Sequence, residues 1–473
     1  VVYEHTAQLA RTQIHRKVGT VLERERAAGA PVAAAELAMH FERGHEPMTA
    51  LRYYVEAAEA ALLHLSPAEC MSLTDHGLTL LDLAQEGMER DALEIALATL
   101  YGVSAAHLLG VSSSEAKAAF ERAHALLREV PQHRMRALVL HGFGFVLCQR
   151  AEYAEALAMV ERSGALSSAT KDPVLLLAAC TVQGEVQMLR GRPRIARDWI
   201  ERGLAAIDSV DTEPEQSFVA DPKATLLALL AIPLLHLGLV ATARTRLREA
   251  HARARQVRQP MAQLVAIWLD ALFELRLGNV ERVAALADEM QALVDEFALA
   301  QGRTACRWFR AWADARLGDP RDACRRIREA CEENTRLGML AGRSETLGYA
   351  AEALMLAADW DAAQHQLQEA LEIASTQDER VYLPQLFLIE AAIARGRGQP
   401  DVALDAVRRA VTEARAQEAP WLELTALVVL CEGERATGED RRALAALVDR
   451  LPEAIGTSAF MRAQAALAKI KPS

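Results

Sequence analysis

The sequence predicts an all-α protein, a right-handed α-solenoid (superhelix) of antiparallel helix hairpins that repeat about every 40 residues. Three observations carry this. The chain is a succession of apolar-periodic segments, each long enough for a helix of four or five turns, and nothing in it reads as a strand. Gly with Asp, Asn or Pro punctuates these segments. Small residues then recur in a fixed register, so that neighbouring helices can approach closely and the hairpins must stack to bury their apolar faces.

The second helix of each hairpin follows the turn. Gly191-x4-Ala196, Gly238-x4-Ala243, Gly318-x4-Ala323, Gly398-x4-Ala403 and Gly438-x4-Ala443 share one pattern, with units at Ala116, Ala156, Val283 and Ala363 in the same register. An apolar residue four positions on (Ile200, Leu247, Ile327, Val407) and a small one three later (Gly203, Ala250, Ala330, Ala410) complete one helical face. The first helix is marked twelve positions earlier by Ser104, Gly144, Gly184, Ala231, Ala271, Ala311, Ala351, Ala391 and Cys431. The step is 40 throughout except for one of 47, which an acidic, proline-bearing insertion at Ser209–Pro222 explains.

The pattern of small residue, turn Gly and A-x3-[large apolar]-x2-A resembles the tetratricopeptide repeat, with a longer period than its usual value of about 34. The longer unit is similar to the repeats of MalT-like bacterial regulators and related signal-transduction ATPases. Arg11–Glu23, Ala35–Arg43 and Ala50–Ala61 resemble the junction that follows the nucleotide-binding and winged-helix parts of ATPase-linked regulators. The resemblance implies that residues 1–66 are a helical linker behind an ATPase and output domain, and that residues 67–473 are the tetratricopeptide-like solenoid. The first residue, Val1, leads to the same expectation of a fragment of a longer protein.

Composition limits the functions. With 473 residues the chain can bury a large core, and 51% hydrophobic with 25% charged residues excludes a disordered chain. A net charge of −11 argues against nucleic acid or an acidic membrane as the main partner. Seven cysteines without a C-x-x-C pair suggest neither a disulfide framework nor a zinc ribbon, and point to a reduced, cytoplasmic protein. Ala224–Ala243 is uncharged and long enough to span a bilayer, but Pro233, His236 and Gly238 and the repeat register divide it between two helices.

Catalytic motifs are missing from the sequence. There is no P-loop, G-x-S-x-G, H-E-x-x-H or EF-hand loop, so the chain is expected to be non-catalytic and to bind no cofactor or metal. His40 and His45 lack further ligands, and Cys324 and Cys331, seven apart, read as buried thiols. The arginines at 244, 246, 248, 253, 255 and 258 read as a solvated outer face.

Binding in such arrays uses the concave surface lined by first helices. There the candidate groove residues are Trp268, Arg276, Arg307, Trp308, Arg310, Trp312, Arg316 and Tyr349, continued by Glu352, Gln385 and Glu390. Arginines beside tryptophans suit an acidic group, whereas Trp268 and Trp308 have a second reading as fillers between hairpins. The expected partners are a protein, peptide or small-molecule inducer in the groove and the chain's own ATPase or output domain. The expected function is a sensor or scaffold region of a multidomain bacterial signalling or transcription-regulatory ATPase, with a free-standing interaction scaffold as the alternative.

Overall fold

Turn chemistry sets the helix boundaries. In the computed structural model, Gly278 ends a helix at φ +80°, and the Gly278 and Asn279 N–H groups donate to the Leu275 and Glu274 carbonyls at 2.9 and 3.0 Å. The same pair of bonds closes the helices at Gly238–Leu239 and Gly398–Gln399. This closure satisfies carbonyls that the helix end would orphan and requires a left-handed residue, hence glycine. Ala358 takes that conformation at φ +56° without it. The next helix often starts with Pro in its first turn, as at Pro193, Pro320 and Pro400.

The structure describes residues 8–64, 66–127, 133–170, 173–208, 220–299 and 302–468; among them every regular element is helical. They fall into two units, one up to Val146 and one from Leu147 onward. The first holds α1 (Gln8–Ala27), α2 (Ala34–Arg43), α3 (Pro47–Leu63), α4 (Pro67–Thr79), α5 (Met88–Leu108) and α6 (Ser114–Leu126), and most of α7 (His133–Gln149). Its core joins Leu37 and Phe41 of α2, Leu51 and Tyr54 of α3, and Leu97 of α5. His15 and His40 face each other, Nδ1 to Nδ1, at 3.0 Å, and no cluster of metal-ligating side chains occurs among the described residues.

The second unit continues with α8 (Tyr153–Thr170), α9 (Pro173–Leu189), α10 (Pro193–Asp208), α11 (Pro222–Leu229), α12 (Ala231–His236) and α13 (Val240–Val257). It goes on through α14 (Pro260–Leu277), α15 (Val280–Phe297), α16 (Gly302–Leu317), α17 (Pro320–Arg336), α18 (Arg343–Leu356) and α19 (Trp360–Thr376). It ends with α20 (Leu383–Gly396), α21 (Pro400–Ala416), α22 (Pro420–Cys431), α23 (Gly438–Arg450) and α24 (Ser458–Ala468).

The small-residue register is the core. Ala196, Ala243, Val283, Ala323 and Ala363 are fully buried, as are Ala231, Ala271, Ala311, Ala351 and Ala391 on the facing helices. A Cβ added at Gly184 of α9 would stand 2.5 Å from Ile200 Cγ1 of α10, so only glycine permits that spacing. The last hairpin departs from the register. Gly438 is already helical, Thr437 caps α23, and Leu444 is buried in place of the partly exposed Ala443.

Most of the expected insertion at Ser209–Pro222 lies outside the described residues. Its end is ordered differently from a loop: the Asp221 carboxylate accepts from Ala224 N at 2.8 Å and Pro222 opens α11. The apolar stretch from Ala224 is divided between α11 and α12 on one side of the Gly238 turn and α13 on the other. Among the described residues no helix is long and apolar enough to cross a membrane.

Successive superhelical turns of this unit touch. The Gln149 carbonyl accepts from Leu340 N and Ala341 N at 2.8 and 3.0 Å, and one repeat later the Leu189 carbonyl accepts from Arg380 N and Val381 N at 3.0 and 3.1 Å. In both contacts the two bonds span 191 and 192 residues. Further along, Thr242 donates N–H and O–H to Glu453 at 2.8 and 3.0 Å.

Candidate ligand groove

Within the second unit a cleft of about 420 Å³ is lined from α12 to α24. Its walls come from a few register positions used repeatedly, 40 residues apart: His236, Arg276 and Arg316; Trp312, Glu352 and Ala392; Tyr349, Ile389 and Val429; Gln385 and Thr425. Equivalent faces of consecutive first helices therefore form one concave surface, as the stacking of hairpins dictates.

At one end the polar groups are locked together. Arg276, with only 8% of its side chain exposed, forks onto Glu345 at 2.8 and 2.9 Å and donates to His236 Nε2 at 3.0 Å. Burial, with Arg276 beside it, holds His236 well below the ordinary imidazole range, so it stays neutral and its Nε2 accepts. Tyr349 donates to Glu345 Oε1 at 2.6 Å and meets the Tyr382 ring edge-on at 5.0 Å. Its phenol is pushed well above its ordinary value, chiefly by burial.

Beyond it, Arg316 stacks over Trp312, 3.9 Å from the ring centroid, and donates to Glu352 at 2.7 Å. Trp312 is 2% exposed, and its indole N–H is buried without an acceptor among the described residues. The other end is apolar, with Leu388, Ile389, Leu422 and Val428, and carries Arg395 and Arg462. Arg462 pairs with Glu432 at 2.6 Å. Exposed Arg395 reaches the Val429 carbonyl at 3.5 Å.

The eight residues singled out by the sequence separate accordingly. Arg276, Trp312, Arg316 and Tyr349 line the cleft, as do Glu352 and Gln385. Trp308 is packed, 5% exposed, against Phe309 and Tyr349, and fills space between helices. Partly buried Trp268 is not part of the lining. Arg307 and Arg310 leave α16 on another side, where Arg307 pairs with Glu333 and Arg310 with Asp288 at 2.7 Å and Asp314 at 3.0 Å. Glu390 accepts from Arg409 of α21 at 2.7 Å and is also outside the cleft. Tyr382, Arg395 and Arg462 were not singled out, although Tyr382 falls in the register of Leu422 and Arg395 in that of Met355.

The other sequence candidates have structural employment. In the arginine run of α13, Arg244 pairs with Glu274, Arg246 with Glu249 at 2.8 Å and Arg253 with Asp221 at 2.9 Å. Cys324 and Cys331 are buried free thiols, and burial pushes Cys331 up to about 11.

No family model matches the chain, and no curated protein matches it in sequence. Solved structures match its fold. The Rap protein complexed with Competence and Sporulation Factor is 10% identical with a TM-score of 0.56, over 79% of this chain and 99% of that one. NprR in complex with its cognate peptide NprX is 11% identical with a TM-score of 0.50, over 75% of this chain and 98% of that one. The chain has the tetratricopeptide-like helical-repeat fold.

Proposed function

We propose that this chain is a non-catalytic sensor or scaffold region whose cleft takes a peptide or protein segment. The observation that carries this is the cleft itself: one concave surface of aromatic, apolar and arginine side chains built from equivalent positions of consecutive repeats. NprR, similar in fold, holds a peptide, which supports a peptide as the ligand class.

The wider setting in this proposal is a multidomain bacterial signalling or transcription-regulatory ATPase of the MalT-like kind, in the cytoplasm. Residues 1–66 would link the missing ATPase and output part to the solenoid over 67–473. The junction motifs at Arg11–Glu23 and Ala35–Arg43 and the seven free cysteines support it. Binding would act by favouring one of two arrangements of the array. The loop before α20 supports this reading: Val381 and Tyr382 line the cleft, and the Val381 N–H donates to the Leu189 carbonyl of the adjacent superhelical turn.

Two measurements test this. Thermal-shift titration with a pool of apolar pentapeptides should stabilise the parent and leave Trp312→Ala unmoved; equal shifts in both place the binding elsewhere and sink the cleft. Sequencing upstream of Val1 should reveal a P-loop in the same reading frame, and a start codon just before Val1 would leave a free-standing scaffold.

A further inference from the structure

The cleft has the opposite sign to the chain that forms it. The protein carries a net charge of −11, yet Arg276, Arg316, Arg395 and Arg462 line the cleft against the single carboxylate of Glu352. Three of the four cations are already matched: Arg276 by Glu345, Arg316 by Glu352 and Arg462 by Glu432. Arg395 differs: among the described residues it donates to the Val429 backbone carbonyl at 3.5 Å and pairs with no carboxylate. An exposed guanidinium at the edge of an apolar wall keeps most of its donors available for an incoming anion.

We infer that the cleft recognises an acidic peptide segment, an Asp or Glu side chain pairing with Arg395 while flanking apolar side chains lie on Leu388, Ile389 and Val428. This deepens the proposed function and rests on it. The charge count selects the anion: one uncommitted guanidinium matches one carboxylate, whereas a phosphate brings nearly two charges. The wall selects an internal side chain. Met355 comes from α18, Leu388 from the same helix α20 as Arg395, and Leu422 and Val429 from α22, so apolar side chains of the lining come from the helices on both sides of the one that carries the charge.

The test is equilibrium dialysis of the full 473-residue chain against three label-free pentapeptide pools, quantified by mass spectrometry. All are N-acetylated and carry mixed Leu, Ile, Val and Phe at the outer positions. The first has a central Glu and an amidated end, the second a central Gln and an amidated end, the third a central Gln and a free terminal carboxylate. In low salt the Glu pool should be retained about tenfold more than the amidated Gln pool, falling to about twofold in Arg395→Gln and recovering in part in Arg395→Lys. Circular dichroism of both variants checks that they fold. Equal retention of the two amidated pools overturns the acidic-peptide inference and leaves the cleft reading standing. Retention of the free-acid pool at or above the Glu pool overturns the side-chain assignment in favour of a chain end. No retention of any pool overturns both.

Discussion

The phenol of Tyr153 donates a 2.7 Å hydrogen bond to the carboxylate of Glu379, 226 residues away in the chain. Glu379 is 1% exposed and also accepts from Ser344 Oγ and Gly342 N, each at 2.7 Å. Burial pushes its carboxyl upward while these donors pull it down, with a net rise. Removing one donor leaves part of that carboxyl unsatisfied. Tyr153→Phe should cost about 1–3 kcal/mol in urea unfolding, and an unchanged urea midpoint would show that the remaining donors suffice.

Loss of solvation pushes the Glu185 carboxyl up to about 8, against hydrogen bonds from Gln149 and Cys148 that lower it. The unfolded chain releases this proton near the ordinary carboxyl value of 4.5, so between the two values the native state holds more protons. This contribution to stability is therefore lost as pH rises from about 4.5 to about 8. Glu185→Gln should flatten that decline in urea midpoints measured across the window. Buried His141 acts in the opposite sense: burial lowers it to about 4, so its contribution is lost as pH falls from 6.5 towards that value.

Gly238 turns the chain at φ +81°, and a Cβ there would stand 2.3 Å from Leu451 Cδ2. Gly238→Ala combines backbone strain with overpacking and should destabilise by roughly 1–3 kcal/mol. Leu451→Ala on that background should recover the steric part only. Additive losses in the double variant would show that the two sites do not share the clash.

Trp312 contributes a buried ring together with an N–H that has no acceptor among the described residues. Trp312→Phe discards the donor and keeps most of the packing, so unfolding free energy should stay within about 1 kcal/mol of the parent. A loss of about 3 kcal/mol would mean that the N–H is bonded in solution.

The fold was legible because its determinants are local and repeated. A small residue at Ala271, Ala311 or Ala351 serves the same close contact each time, and the 40-residue spacing makes the coincidence visible. The arginines were harder to read. Arg276 and Arg316 occupy the same register position, but Glu345 and His236 enclose one, while Glu352 and the Trp312 face hold the other partly exposed. Arg307 and Arg310 lie on the same helix as Trp312, yet a difference of a few residues around the helix turns them towards Asp288 and Glu333. Carrying the register forward from Met355 to Arg395 would have found the most available cation. The contacts spanning 191 and 192 residues leave no periodic mark in the sequence, since backbone groups make them.

Those backbone contacts bear on how such a gene can change its copy number. Unequal crossing-over readily adds or deletes one repeat, and the bonds at Gln149 and Leu189 would re-form on whichever loop came next, because every loop offers N–H groups. The side chains beside them are individual. One repeat on from Glu379, the register holds Ala419, which has nothing to offer the Tyr153 hydroxyl. Arg190 is different: its partner Asp378 has an acidic equivalent one repeat on, Glu418, which here pairs with Arg194. The Tyr153–Glu379 pair therefore works as a tally, and a chain that has lost one unit within that span brings the hydroxyl to a residue with no carboxylate.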